Sequence, residues 1–106
     1  MPVTNIFAGI PEHLPQEMSG VLARQENVSI ERIVSRGHCS PEGFWYDQDS
    51  TEWVLVLSGK AALLFEGENQ ARILNSGDYI LIPAHTRHRV AWTAENEDTV
   101  WLAVHY

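Results

Sequence analysis

The sequence predicts an all-β sandwich or barrel, on three observations. From Asn27 onward, short segments rich in Val, Ile, Leu and aromatic residues follow one another. Clusters of Gly, Asn, Asp and Ser separate them at regular intervals, and the only helix signal is a brief one near Pro15. The 106 residues, 44% of them hydrophobic, suffice for one domain with a real core and not for two.

Taken in order, residues 1–26 are punctuated by Pro2, Pro11 and Pro15 and read as an arm packed on the domain or on a neighbour. In PQEMSGVLA, Pro15 suits the first turn of a helix, while Gly20 limits that helix to one or two turns. The domain proper spans 27–106. It begins with VSIERIVS, where Val28, Ile30, Ile33 and Val34 stand among polar residues, and continues with EWVLVLS, KAALLFE, QARILN, DYILIPA, HRVAWT and TVWLAVHY. Ser58-Gly59, Glu66-Gly67-Glu68-Asn69, Asn75-Ser76-Gly77-Asp78 and Glu95-Asn96-Glu97-Asp98 supply the turns. WVLVL and YILI are apolar on both faces, so the outer side of their sheet should be covered, either by a second copy in a homodimer or by the arm.

The charge balance narrows the partners. Fourteen acidic residues face seven basic ones, for a formal net charge of -7, and no basic run exists. Such a chain does not neutralise phosphate backbones, which argues against nucleic acid and against an anionic membrane surface. WVLVLSGKAALLF is broken by Ser58, Gly59 and Lys60 and falls short of the ~20 apolar residues of a membrane span. The start, MPVTNIFAGIPEHLP, has neither the basic region nor the continuous apolar run of a secretory signal, so a cytoplasmic protein is expected. Cys39 is the single cysteine, which excludes an internal disulfide. As a small tolerated side chain it receives no catalytic role.

Two segments carry the chemistry. In the first, Glu52 is followed six residues later by Gly59; in the second, GDYILIPAHTRH, Gly77 precedes Pro83 and then His88. From about Val28 to Tyr106 the chain resembles the small single-domain cupins, whose motifs read G-x5-H-x-H-x3,4-E-x6-G and G-x5-P-x-G-x2-H-x3-N. Glu52 and Gly59 match the E-x6-G half of the first, and Gly77, Pro83 and His88 match the second. The resemblance implies a double-stranded β-helix, a jelly-roll barrel, with a site in its mouth.

The departures from the family pattern bear on function. Three residues back from Glu52, the two histidine positions hold Tyr46 and Gln48; a four-residue spacing would put Trp45 and Asp47 there instead. In the second motif His85 replaces a glycine and Trp92 an asparagine. Side chains two apart share a face of a strand, which favours Tyr46 and Gln48 as an inward pair. By resemblance they meet Glu52 and His88, and Val90 and Trp92 would continue the inward stripe if their strand stays regular.

The resemblance also implies a divalent transition metal, here Mn, Fe, Ni or a weakly held Zn. Its donors in this chain would be Gln48, Glu52 and His88, with His85 as a second imidazole and Asp47 or His38 in support. One imidazole and one carboxylate are fewer than the three protein ligands usual for catalytic zinc, and a tyrosine phenol ligates well only after losing its proton. Three functions therefore stay open. The first is a metal-dependent oxygenase or isomerase-like enzyme. The second is a metal-free acid/base isomerase in which Glu52 works with His88 or Tyr46 as catalytic partners. The third is a ligand-binding or sensing module with a pocket of Tyr46, Trp45, Val90 and Trp92. All three take a small molecule. Only Arg87 and Arg89 lie near His88 in sequence, and strand alternation turns both away from it, which argues against phosphorylated substrates.

Overall fold

Period-2 patterning and turn chemistry resolve into eight antiparallel strands in the computed structural model, which describes residues 1–106. These are β1 (Met18–Gln25), β2 (Val28–Ser35), β3 (Glu52–Ser58), β4 (Lys60–Phe65), β5 (Arg72–Asn75), β6 (Tyr79–Ile82), β7 (His88–Thr93) and β8 (Thr99–His105). A five-stranded sheet has the order β1-β2-β8-β3-β6, and a three-stranded sheet the order β5-β4-β7. Inward side chains of both sheets make the core: Val54, Val56, Trp101 and Ala103 from one, Ala61, Leu63, Phe65 and Leu74 from the other. The chain has no helix long and apolar enough to cross a membrane.

The N-terminal segment differs from expectation. Met18–Gln25 is a strand rather than the start of a helix, paired with β2 from Met18↔Val34 to Gln25↔Val28 through the two-residue turn Glu26-Asn27. Pro15 and Gly20 offered a weak local preference. The free edge of β2 offers a full ladder of main-chain hydrogen bonds, and tertiary pairing wins over propensity. Residues 1–17 then cross this region as a strap. Arg32 Nη1 donates to the carbonyls of Ile6 and Ala8, and the Arg36 guanidinium donates to those of Pro11 and Glu12.

The chain passes from the large sheet to the small one through a single residue, Gly59, between β3 and β4. Its φ is +91°, and a Cβ there would stand 2.5 Å from Thr99 Oγ1 and 2.6 Å from Thr99 Cα. Only glycine fits the corner, which gives the E-x6-G spacing its physical reason. β7 carries a second irregularity. Leu63 pairs with Val90 but Ala62 pairs with Trp92, so Ala91 is an extra residue bulged out of the ladder.

Part of the outer face of the large sheet lies open. Trp53 and Tyr79 pack ring to ring at 5.3 Å there, and Tyr79 and Leu81 are exposed. The strap covers the β2 side instead.

Gly59→Ala should therefore lower stability by more than about 2 kcal/mol, from left-handed strain plus collision with backbone. Gly77→Ala, at the same φ of +91° but with nothing within 4 Å of the added Cβ, should cost about 1 kcal/mol. Urea midpoints of the two variants check this, and equal losses would refute the steric account.

Candidate functional site

One main-chain contact builds the site. Tyr46 and His88 form an isolated antiparallel bridge, with Tyr46 N donating to the His88 carbonyl at 2.7 Å and His88 N to the Tyr46 carbonyl at 3.2 Å. Cross-strand partners present their side chains on the same face. The phenol ring accordingly stacks on the imidazole, centroids 5.4 Å apart at 27°. Gln48, two residues on, also faces the interior, and Glu52 enters from the first position of β3.

These side chains border a cavity of about 240 Å³ inside the barrel. Tyr46, Gln48, Glu52, His88 and Val90 line it together, above an apolar floor of Val54, Leu63, Ile82 and Trp101. Two further carboxylates, Glu17 and Glu31, share the lining, which contains neither lysine nor arginine. A more open cleft between Pro15 and the His38–Pro41 loop shares Glu17, Tyr46 and Val90 with the cavity.

Glu52 is 9% exposed and His88 4%. The His88 Nδ1 stands 2.8 Å from the Thr86 carbonyl, which can only accept, so Nδ1 carries a proton and Nε2 faces Glu52 Oε1 at 3.5 Å. Burial alone would lower the His88 pKa, but hydrogen bonding to Glu52 and to the Thr86 carbonyl, with the Glu52 charge, outweighs it and holds the imidazole above its usual 6.5. On the other side of the carboxylate, His105 Nε2 lies 3.6 Å from Glu52 Oε2 and 3.2 Å from Glu31 Oε1. Burial, followed by the charges of Glu17, Glu52 and Glu31, raises the Tyr46 pKa above 10.0, so the phenol keeps its proton.

Two expected site residues lie elsewhere. Trp92 was to follow His88 and Val90 inward, but the Ala91 bulge reverses the alternation; Trp92 sits 39% exposed opposite Ala62, and Thr93 turns inward instead. His85 was to be a second imidazole donor. It is an exposed turn residue at φ 61°, its Nδ1 2.9 Å from Asp47 Oδ1 and its backbone N–H donating to the Gln48 carbonyl. A histidine thus stands in the left-handed region that glycine favours. That geometry aims the ring at Asp47, outside the cavity.

The donor set does not fit a transition metal. Without His85, a neutral phenol and an amide accompany one imidazole and one carboxylate at the family's ligand positions. Nowhere do three His, Cys, Asp or Glu side chains converge in ligating geometry.

Glu17, Glu31 and His105 were missed from sequence. Glu31 was legible only through register: its neighbours Ile30 and Arg32 point out, and pairing of Glu31 with Ala103 puts it on the core side. Glu17 precedes the strand that no signal announced.

The Asp47 pair has a pH signature. Hydrogen bonding to Asp47, opposed by partial desolvation and helped by the charges of Asp47 and Asp49, raises the His85 pKa above 6.5. A raised folded-state value stabilises fully below the unfolded pKa and is lost as pH rises through the folded one. The melting-temperature gap between wild type and His85→Asn, which tolerates the same φ, should be larger near pH 5 than near pH 9. A gap that widens with pH would contradict the pairing.

Comparison with known proteins places this architecture. The cupin domain family profile matches residues 34–105. No curated protein sequence matches the chain. Among solved structures, that of a "putative mannose-6-phosphate isomerase" from Ralstonia eutropha JMP134 superposes with a TM-score of 0.94 at 48% identity, covering 99% of this chain and 97% of that one. A cupin superfamily protein from Desulfitobacterium hafniense DCB-2 gives 0.73 at 22% identity, over 91% and 82% of the two chains. The polyketide cyclase RemF from Streptomyces resistomycificus gives 0.73 at 16%, over 86% and 65%. The last two share the fold, and with the family profile matching the end of β2 and all of β3 to β8 the assignment is complete: the chain belongs to the cupin family.

Proposed function

We propose that the cavity is a metal-independent acid/base site that moves a proton on a small, unphosphorylated molecule. The observation that carries this reading is the buried pair of Glu52 Oε1 and His88 Nε2, 3.5 Å apart inside the cavity. A carboxylate and an imidazolium on one side of a small substrate can act in concert. Glu52 accepts the proton from a carbon next to a carbonyl, and the electron pair of that C–H bond moves onto the carbonyl. His88 Nε2–H gives its proton to the carbonyl oxygen, leaving a neutral enediol or enol. Return of the Glu52 proton to the neighbouring carbon, with His88 recovering a proton from the enol oxygen, completes an isomerisation. The Tyr46 hydroxyl, kept protonated, orients the oxygen by hydrogen bonding.

The Ralstonia neighbour is named for an isomerase, a reaction class that agrees with proton transfer between adjacent carbons. Its phosphate does not suit this cavity. Arg87 is paired with Glu66 and Arg89 donates to the Ser40 carbonyl, so neither reaches a ligand among three carboxylates. The metal-dependent oxygenase or isomerase with Mn, Fe, Ni or Zn has weaker support, because the family's histidine positions hold Tyr46 and Gln48.

The test is proton exchange in D2O, followed by NMR over a panel of small hydroxyketones and aldoses. Wild type should wash deuterium into the carbon next to the carbonyl of at least one, with Glu52→Gln and His88→Asn each slower by ~100-fold or more. No exchange with any member of the panel, or exchange that survives Glu52→Gln, would sink the proposal.

The partner of the open sheet face is, in our reading, a second copy of the chain. A two-fold axis over Trp53, Tyr79 and Leu81 would lay apolar surface on its own image, which suits an isologous dimer. Light scattering should give the mass of two chains at micromolar concentration, and Leu81→Glu should give one. A monomeric wild type would remove the dimer.

A further inference from the structure

We infer that His105 is a positioning residue of the acid/base pair: it grips one oxygen of Glu52 and thereby holds the other toward His88. The inference rests on the acid/base reading for the reaction, whereas the placement of Glu52 rests on geometry alone.

Strand register puts the groups together. β8 runs between β2 and β3, with His105 opposite Ser29 on one side and opposite Glu52 on the other. Cross-strand partners share a face, and so do residues two apart on one strand. Glu31, His105 and Glu52 therefore lie on the inward face that carries Val54 and Ala103. Thr51 and Tyr106 exchange both main-chain hydrogen bonds, each at 2.9 Å. The neighbouring pair, Glu52 and His105, is thus of the non-hydrogen-bonded kind, whose side chains approach closest.

The side chains complete what the main chain sets up. His105 Nε2 lies 3.2 Å from Glu31 Oε1 and 3.6 Å from Glu52 Oε2. An ionised carboxylate only accepts, so a ring proton belongs on Nε2. That one N–H stands between two like charges. Glu52 Oε1 meanwhile faces His88 Nε2, on the other sheet, at 3.5 Å. The carboxylate is strung between the sheets, one oxygen toward each imidazole. The terminal torsion of a glutamate is soft, and a carboxylate with Oε2 released would swivel away from Glu31 and lose its aim at His88. His105 does not line the cavity; it borders an outer cleft beside Asp49 and Ser50. It therefore touches no substrate and acts through Glu52.

Two substitutions separate the ring nitrogens: the side-chain amide of glutamine reaches the place of Nε2, that of asparagine only the place of Nδ1. Proton exchange in D2O is followed over the same panel, beside the ring-nitrogen NMR spectrum of the whole protein without substrate. His105→Asn should lower kcat by ~10-fold or more and leave KM within ~2-fold, as loss of one hydrogen bond to a charged group predicts. His105→Gln should recover most of that rate. In the spectrum, the His88 Nε2 resonance should move in His105→Asn toward its position in Glu52→Gln, and stay at the wild-type position in His105→Gln. Where His105→Asn does not fold, the wild-type spectrum is decisive: Nε2 of His105 must carry a proton, and a bare Nε2 overturns the inference. Equal losses in the two variants, a loss confined to KM, or a His88 resonance that His105→Asn leaves in place would overturn it as well. Exchange undiminished in His105→Asn sinks this inference and leaves the acid/base reading standing. A wild type inert toward the whole panel sinks the acid/base reading, and the spectrum then decides the placement of Glu52 by His105.

Discussion

The backbone bridge between Tyr46 and His88 is the constraint on which the site depends. Two hydrogen bonds hold the long segment between β2 and β3 against the first residue of β7. The segment belongs to neither sheet, and while Ser40 and Gln48 are also tied to the barrel by hydrogen bonds, this bridge is what sets the facing of Tyr46 itself. With them, the pleat of β7 dictates that Tyr46 and Gln48 look inward and that Asp47 looks out to His85. The same bridge lays an aromatic face on the imidazole and helps to dry it. Geometry fixed by main chain is what lets a buried carboxylate and a buried imidazole face each other at reproducible range.

Much of this was legible in the sequence, and the exceptions have physical causes. β2, β3 and β7 were readable residue for residue because short apolar runs ended in turn chemistry that has one conformational meaning. Glu52 and His88 were readable through glycine and proline spacing, which reflects tight corners such as Gly59. What failed depended on partners distant in sequence. β1 is a strand because β2 has an edge to fill, a fact no window of eight residues contains. Trp92 faces outward because one extra residue, Ala91, entered the ladder opposite β4, and a bulge is invisible to strict alternation. His85 occupies a left-handed turn where its own residue type gave no warning.

The electrostatics follow from how the barrel is filled. Small all-β domains pack side chains of two sheets against each other, so a carboxylate admitted to the interior must find compensation there. Glu52 has two imidazoles at 3.5 and 3.6 Å, and Glu31 shares one of them. Compensation at that range is partial. At 3.5 Å and beyond, neither imidazole closes on Glu52 as a tight salt bridge would.

The origin of the cavity walls along the chain has a further meaning. The family profile begins at residue 34, yet Glu17, Ser19, Glu31 and Ile33 all precede it. The part of the barrel that the family profile matches supplies Glu52 and His88, whereas one side of the chamber is furnished by the β1–β2 hairpin at the sheet's edge and the residue before it. An edge hairpin can be exchanged, lengthened or recharged without disturbing the glycine corner or the core behind it. The two walls of the cavity are thereby written on separate stretches of the polypeptide, and one of them can vary while the other keeps its frame.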